Sequence, residues 1–125
     1  MKKILVMVFF IALLSSCSSN LPIGAQTAVE NWNYSLVERP TRIVEEARAK
    51  ILRGDSDLNI KQRWCVRIEV EVLWNGVWLS EWADGGRFFN DIIVELVGNT
   101  WIPRFSSLNE LAMYECPNWY LEKPS

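Results

Sequence analysis

Residues 63–83 read RWCVRIEVEVLWNGVWLSEWA, and the fold turns on how this stretch is parsed. Trp64, Val66, Ile68, Val70, Val72 and Trp74 alternate with Arg63, Cys65, Arg67, Glu69, Glu71 and Leu73. A period of two sends successive side chains to opposite faces, so the stretch reads as a strand. Asn75-Gly76 follows, and both residue types accept the positive φ that a two-residue hairpin turn requires. Val77 to Ala83 is then expected to return as the partner strand, in a register set by the turn.

That register assigns two faces. On one, Trp74 should meet Val77, Val72 should meet Leu79 and Ile68 should meet Ala83, an apolar surface for helices to cover. On the other, Leu73 should meet Trp78, Glu71 Ser80, Glu69 Trp82 and Arg67 Asp84. This second face should point away from the helices, yet it carries two tryptophans and a leucine among carboxylates, where a half-buried sheet would be polar. Two explanations stand. The C-terminal segment with Trp119 and Tyr120 covers the face, or Leu73, Trp78, Trp82, Glu69 and Glu71 form a binding surface, since exposed aromatic patches rimmed by polar groups mark contacts.

Working outward, Asp84-Gly85-Gly86 is a turn and Arg87 to Val97 a third strand. Gly98-Asn99 makes another tight turn into a fourth strand, Thr100 to Phe105, which Pro103 confines to a sheet edge because it donates no hydrogen bond. Ser106 to Glu115 reads as a short helix capped by Ser106 or Ser107. Upstream, Ala25, Ala28, Val29, Trp32 and Leu36 lie on one helical stripe within Ala25–Glu38, although Trp32, Tyr34 and Leu36 also alternate as a strand would. A second helix is expected from Thr41 to Gly54. Glu45 and Glu46 stand near its start, Lys50 and Arg53 in its last turn, Ile43, Val44, Ala47 and Ile51 on its buried stripe, and Gly54 at its C′ position. The expected class is α+β: two N-terminal helices on a four-stranded antiparallel meander, with a short C-terminal helix.

The N-terminus carries a different message. Lys2 and Lys3 precede an apolar run from Ile4 to Leu14, and Leu14-Ser15-Ser16-Cys17 follows. Eleven helical residues reach ~16 Å, about half of a bilayer core, so the run suits a secretory signal better than a membrane span. Leu-Ser-Ser-Cys resembles the lipobox of bacterial lipoproteins. The resemblance covers residues 1–17 and implies cleavage before Cys17, with acylation of its thiol. Residues 1–16 are then a removed signal peptide, residues 17–24 a lipidated tether and residues 25–125 one domain. Ser18, in place of an acidic residue, implies the outer membrane, facing the periplasm, in an organism that has one.

Composition and chemistry narrow the rest. Losing Lys2 and Lys3 from 13 basic residues leaves 11 against 15 acidic ones, a net charge of −4. No basic block remains to displace counterions from nucleic acid. Histidine is absent, which removes the commonest general base and metal ligand and every Ser-His or Cys-His arrangement. Cys65 and Cys116 are an even pair in an exported domain, which points to a disulfide; two thiols are too few for a zinc site. Glu69 with Glu71, and Asp91 with Glu95, are same-face carboxylate pairs of the kind glycoside hydrolysis uses. Alternating Glu on a strand face is also ordinary solvation, so no enzyme activity, metal or cofactor is expected. In element order the chain resembles cystatin- or NTF2-like cones and the small lipoproteins of outer-membrane assembly machines. It has neither the Gly-Met-Thr helix start nor the Leu-Gly-x-Pro turn of the latter, so no residues carry over. The expected function is a lipid-anchored, extracytoplasmic protein–protein adaptor or assembly factor. The alternative is a glycan- or small-ligand-binding lipoprotein using the tryptophan face.

Overall fold

A computed structural model describes residues 20–119. The segment read as a signal peptide, Cys17 and Tyr120 lie outside the described residues. Helix α1 spans Ile23–Val37 and turns Ala25, Val29 and Asn33 inward at a four-residue spacing. It ends where Glu38 takes a left-handed conformation and donates its N–H to the Tyr34 carbonyl at 2.7 Å. Leu21, in the stretch read as tether, is buried against the same core as α1.

The expected second helix is a strand. β1 spans Arg42–Arg48 and pairs antiparallel with β2, Ile60–Val70. The misleading helical stripe has a physical origin in the strand itself. An irregularity between Ile43 and Glu45 interrupts the alternation, so Ile43 packs on the core beneath α1 while Ala47 packs on the opposite side of the sheet. Apolar residues at three- and four-residue spacing thus arise from a bulged strand that contributes to both apolar clusters. β-branched Ile43 and Val44 favour this state, and pairing with β2 satisfies backbone groups along the flank of an eleven-residue strand. Gly54 does adopt positive φ, but it precedes a 3₁₀ turn at Asp55–Leu58 rather than closing a helix.

The hairpin register holds for three pairs. β3 (Val72–Trp74) and β4 (Val77–Leu79) pair Val72 with Leu79, Leu73 with Trp78 and Trp74 with Val77. Asn75 and Gly76 have φ of 50° and 78°, as the type I′ turn demands. Beyond those pairs the expected hairpin is replaced. β2 pairs instead with β5, Phe88–Val97, so that Ile68 faces Asn90, Glu69 faces Phe89 and Arg67 faces Asp91. That exchange sets Val66 opposite Ile92 and Cys65 opposite Ile93, all four fully buried, which the short partner strand could not provide. Residues 80–87 form a loop closed by a Glu81–Arg87 bridge. β3 and β4 therefore make a separate two-stranded ribbon off the main sheet.

β6, Thr100–Phe105, pairs with β5 and lies at the edge, as Pro103 requires. The four-stranded sheet has the order β1-β2-β5-β6, an antiparallel meander interrupted by the ribbon. Helix α2, Leu108–Met113, starts in a capping box between Ser107 and Glu110. The fold is α+β, with one helix on the sheet and a short second one at its C-terminal end. Two apolar clusters result. Trp64, Val66, Ile68 and Val70 of β2 pack beneath α1, while Cys65 and Ile93 on the reverse face meet Leu111, Tyr114 and Trp119. The Cys65–Cys116 disulfide, with Cα atoms 5.8 Å apart, ties this second cluster together.

Candidate binding groove

The ribbon, the last turns of α1 and the near ends of β2 and β5 enclose an open groove of about 800 Å³. Val70 and Phe88 lie buried at its base, and Leu36, Val37, Leu73, Trp78, Trp82 and Phe105 contribute most of its apolar walls. Such a volume is within the range of small-molecule sites. Trp82 is 60% exposed and stacks at a tilt on Phe88 at 4.6 Å. On the far wall Phe105 meets the edge of Trp32 at 4.8 Å.

Of the five residues read as a binding face, the structure brings Leu73, Trp78, Trp82 and Glu71 together in this groove. Its side is not the expected one. Trp78 and Trp82 face a space that α1 also lines, because the ribbon leaves the plane of the sheet after Val70. Glu69 belongs to a neighbouring cleft with Pro40, Thr41 and Ser80. Of the two C-terminal aromatics expected to cover the tryptophans, Trp119 is buried instead in the cluster around Cys65 and Ile93, and Tyr120 lies outside the described residues.

Charges at the groove are paired. Arg39 donates to Glu71 at 2.8 Å and lies over the Trp78 ring at 5.1 Å. Glu69 accepts from Arg42 at 2.7 Å and from Arg87. The hydrogen bond from Arg42 holds the Glu69 carboxyl below its ordinary range against the opposing effect of burial, and Arg87 adds to it. Asp91 accepts from Arg67 at 2.8 Å, and Glu95 accepts from Arg63 at 2.8 Å. Each carboxylate weighed as a catalytic acid thus accepts a hydrogen bond from a guanidinium. No group of three or more His, Cys, Asp or Glu arranged to hold a metal is present among the described residues.

Asn33 is the buried groove residue that pattern reading missed. It is 4% exposed, lines the groove, and its Nδ2 has no hydrogen-bond partner. The signal was available: Asn33 follows Ala25 and Val29 at the same four-residue step, a polar amide on the buried stripe of a helix. Leaving such a donor unpaired costs about 1–3 kcal/mol. Arg39 Nε is likewise buried without a partner, and these two are the unpaired buried side-chain atoms among the described residues. Compared with protein-family models, curated proteins and solved structures, the chain matches none.

Proposed function

We propose that this chain is a lipid-anchored, extracytoplasmic adaptor that engages a protein partner through the β3–β4 ribbon and the mouth of the adjoining groove. One observation carries the reading. The ribbon runs from Val72 to Ser80 without a charged residue, and Leu73, Trp74 and Val77 are 54%, 64% and 58% exposed. Surface apolar residues are normal singly, but three on one projecting hairpin, contiguous with Trp82, form a patch of the kind that marks interaction sites. Tryptophan at its centre supplies the large, rigid contact area typical of interface hot spots.

The lipid anchor supports the location. With Cys17 acylated, only three residues separate the anchor from Leu21, so the domain stays within roughly 15 Å of its membrane. No helix among the described residues is long and apolar enough to cross a membrane. Outer-membrane attachment, facing the periplasm, follows from Ser18 on the same reading. In-cell photocrosslinking from position 77 tests the adaptor proposal.

A ligand-binding role is the second reading, and the unpaired Asn33 amide within the groove favours it. Here the tryptophans would form walls for a glycan or another small molecule, in place of a docking patch.

A further inference from the structure

The unpaired Asn33 amide and the apolar groove point to one ligand chemistry. We infer that the groove binds a linear acyl chain whose carbonyl or carboxyl oxygen accepts a hydrogen bond from Asn33. The inference rests on the ligand-binding reading and is independent of the adaptor and of the anchor.

Three features of the site select this class. First, the groove-lining buried atom that lacks a partner is a donor, Asn33 Nδ2. What the site lacks is an acceptor oxygen. A sugar brings hydroxyl donors along with its acceptors, and those donors find no unpaired buried acceptor among the described residues. Second, the walls are hydrocarbon and ring, with Leu36, Val37 and Phe105 on one side and Leu73 and Trp82 on the other. They can desolvate methylenes, each worth about 0.8 kcal/mol when buried, and they outnumber the polar lining residues Glu71, Arg87 and Asn90. Third, Asn33 is held rather than mobile. It continues the Ala25–Val29 stripe, where both preceding residues are fully buried, so the helix fixes the amide at the groove. A leucine there would complete the stripe and be the stabilising choice; the amide instead stays desolvated and unpaired, a cost offset once a ligand oxygen reaches it.

The test is photolabelling of the full chain expressed in intact cells, followed by mass mapping of the adduct. The probes are a diazirine-bearing decanoic acid, its methyl ester and a diazirine-bearing decane. The acid is expected to label peptides containing Val37 or residues 73–82, and Asn33→Leu should reduce that labelling about tenfold, the scale of one hydrogen bond to a buried group. Labelling by the decane probe should be unchanged by Asn33→Leu. The ester distinguishes sources: equal labelling by ester and acid identifies an esterified chain as an acceptable ligand, and preference for the acid identifies a free carboxylate. Asn33→Asp, which replaces the donor with an acceptor, should also lose acid labelling, and an intact Cys65–Cys116 disulfide in both variants shows that they fold. Equal labelling of wild type and Asn33→Leu by the acid would overturn the inference, because a water molecule or simple apolar contact would then account for the site. Absence of label from the groove peptides would overturn it as well.

Discussion

Arg63 and Asp55 meet at 2.7 Å in the interior, on the face of the sheet opposite α1, with side-chain exposures of 2% and 8%. The same guanidinium donates to Glu95 and to the Lys50 carbonyl, and it lies 3.8 Å over the Tyr114 ring. One arginine therefore joins the 3₁₀ turn, β2, β5 and the segment after α2. Asp55→Ala removes the buried hydrogen bonds from Arg63 and leaves that guanidinium with Glu95, so it should lower the unfolding free energy by about 1–3 kcal/mol. Glu115→Ala, which breaks an exposed pair with Lys50, should stay within about 0.5 kcal/mol of wild type. Urea titrations of both variants measure the difference.

The same pair sets an acid response. The Arg63 hydrogen bond holds the Asp55 carboxyl below its ordinary value, against the opposing effect of burial, with the Leu52 N–H assisting. A carboxyl with a lowered native pKa contributes stability that is present above its unfolded value of about 3.9 and lost as pH falls through the native value. Unfolding free energy should therefore decline below about pH 4 in wild type, and Asp55→Ala should show a shallower decline over the same interval.

The disulfide joins β2 to the chain just beyond α2 across a sequence separation of 51. In the chain-entropy model a loop of that size stabilises by about 4 kcal/mol. Replacing Cys65 and Cys116 together by alanine should lower stability by about that amount. A loss below about 1 kcal/mol would show that the second cluster holds without its covalent tie.

What was legible in the sequence, and what was not, follows from the range of the determining interactions. The Asn75-Gly76 turn, the edge position of β6 at Pro103 and the Ser107 cap are local, and each is found where its chemistry places it. The cysteine pairing was readable from parity together with the expectation of an exported domain. Arg42–Arg48 failed because its strand state depends on β2, a partner about twenty residues away, and its bulge imitated a helical stripe. The extent of the hairpin failed for a similar reason: beyond Leu79 a more distant strand, β5, offered β2 a longer apolar partner. At the site, alternation gathered Leu73, Trp78 and Trp82 but assigned them to the wrong side. It gave no hint of the α1 wall, which exists only because the helix crosses the sheet beside the ribbon.

The lipid anchor is tested by metabolic labelling. Cells fed radiolabelled palmitate should incorporate it into the wild-type chain and not into Cys17→Ala, and the variant should persist as the larger, uncut precursor. An unlabelled wild-type chain would remove the anchor and with it the argument for proximity to the membrane.

The most direct test of the adaptor reading is benzophenone photocrosslinking in intact cells from Val77, at the exposed tip of the ribbon, compared with Thr27, exposed on α1 before the groove-lining residues Asn33, Leu36 and Val37. The account predicts one discrete protein adduct from position 77 and none from position 27, with the adduct lost when Leu73 and Trp74 are both changed to serine in a chain that retains its disulfide. No adduct from position 77, or the same adducts from both positions, would contradict it.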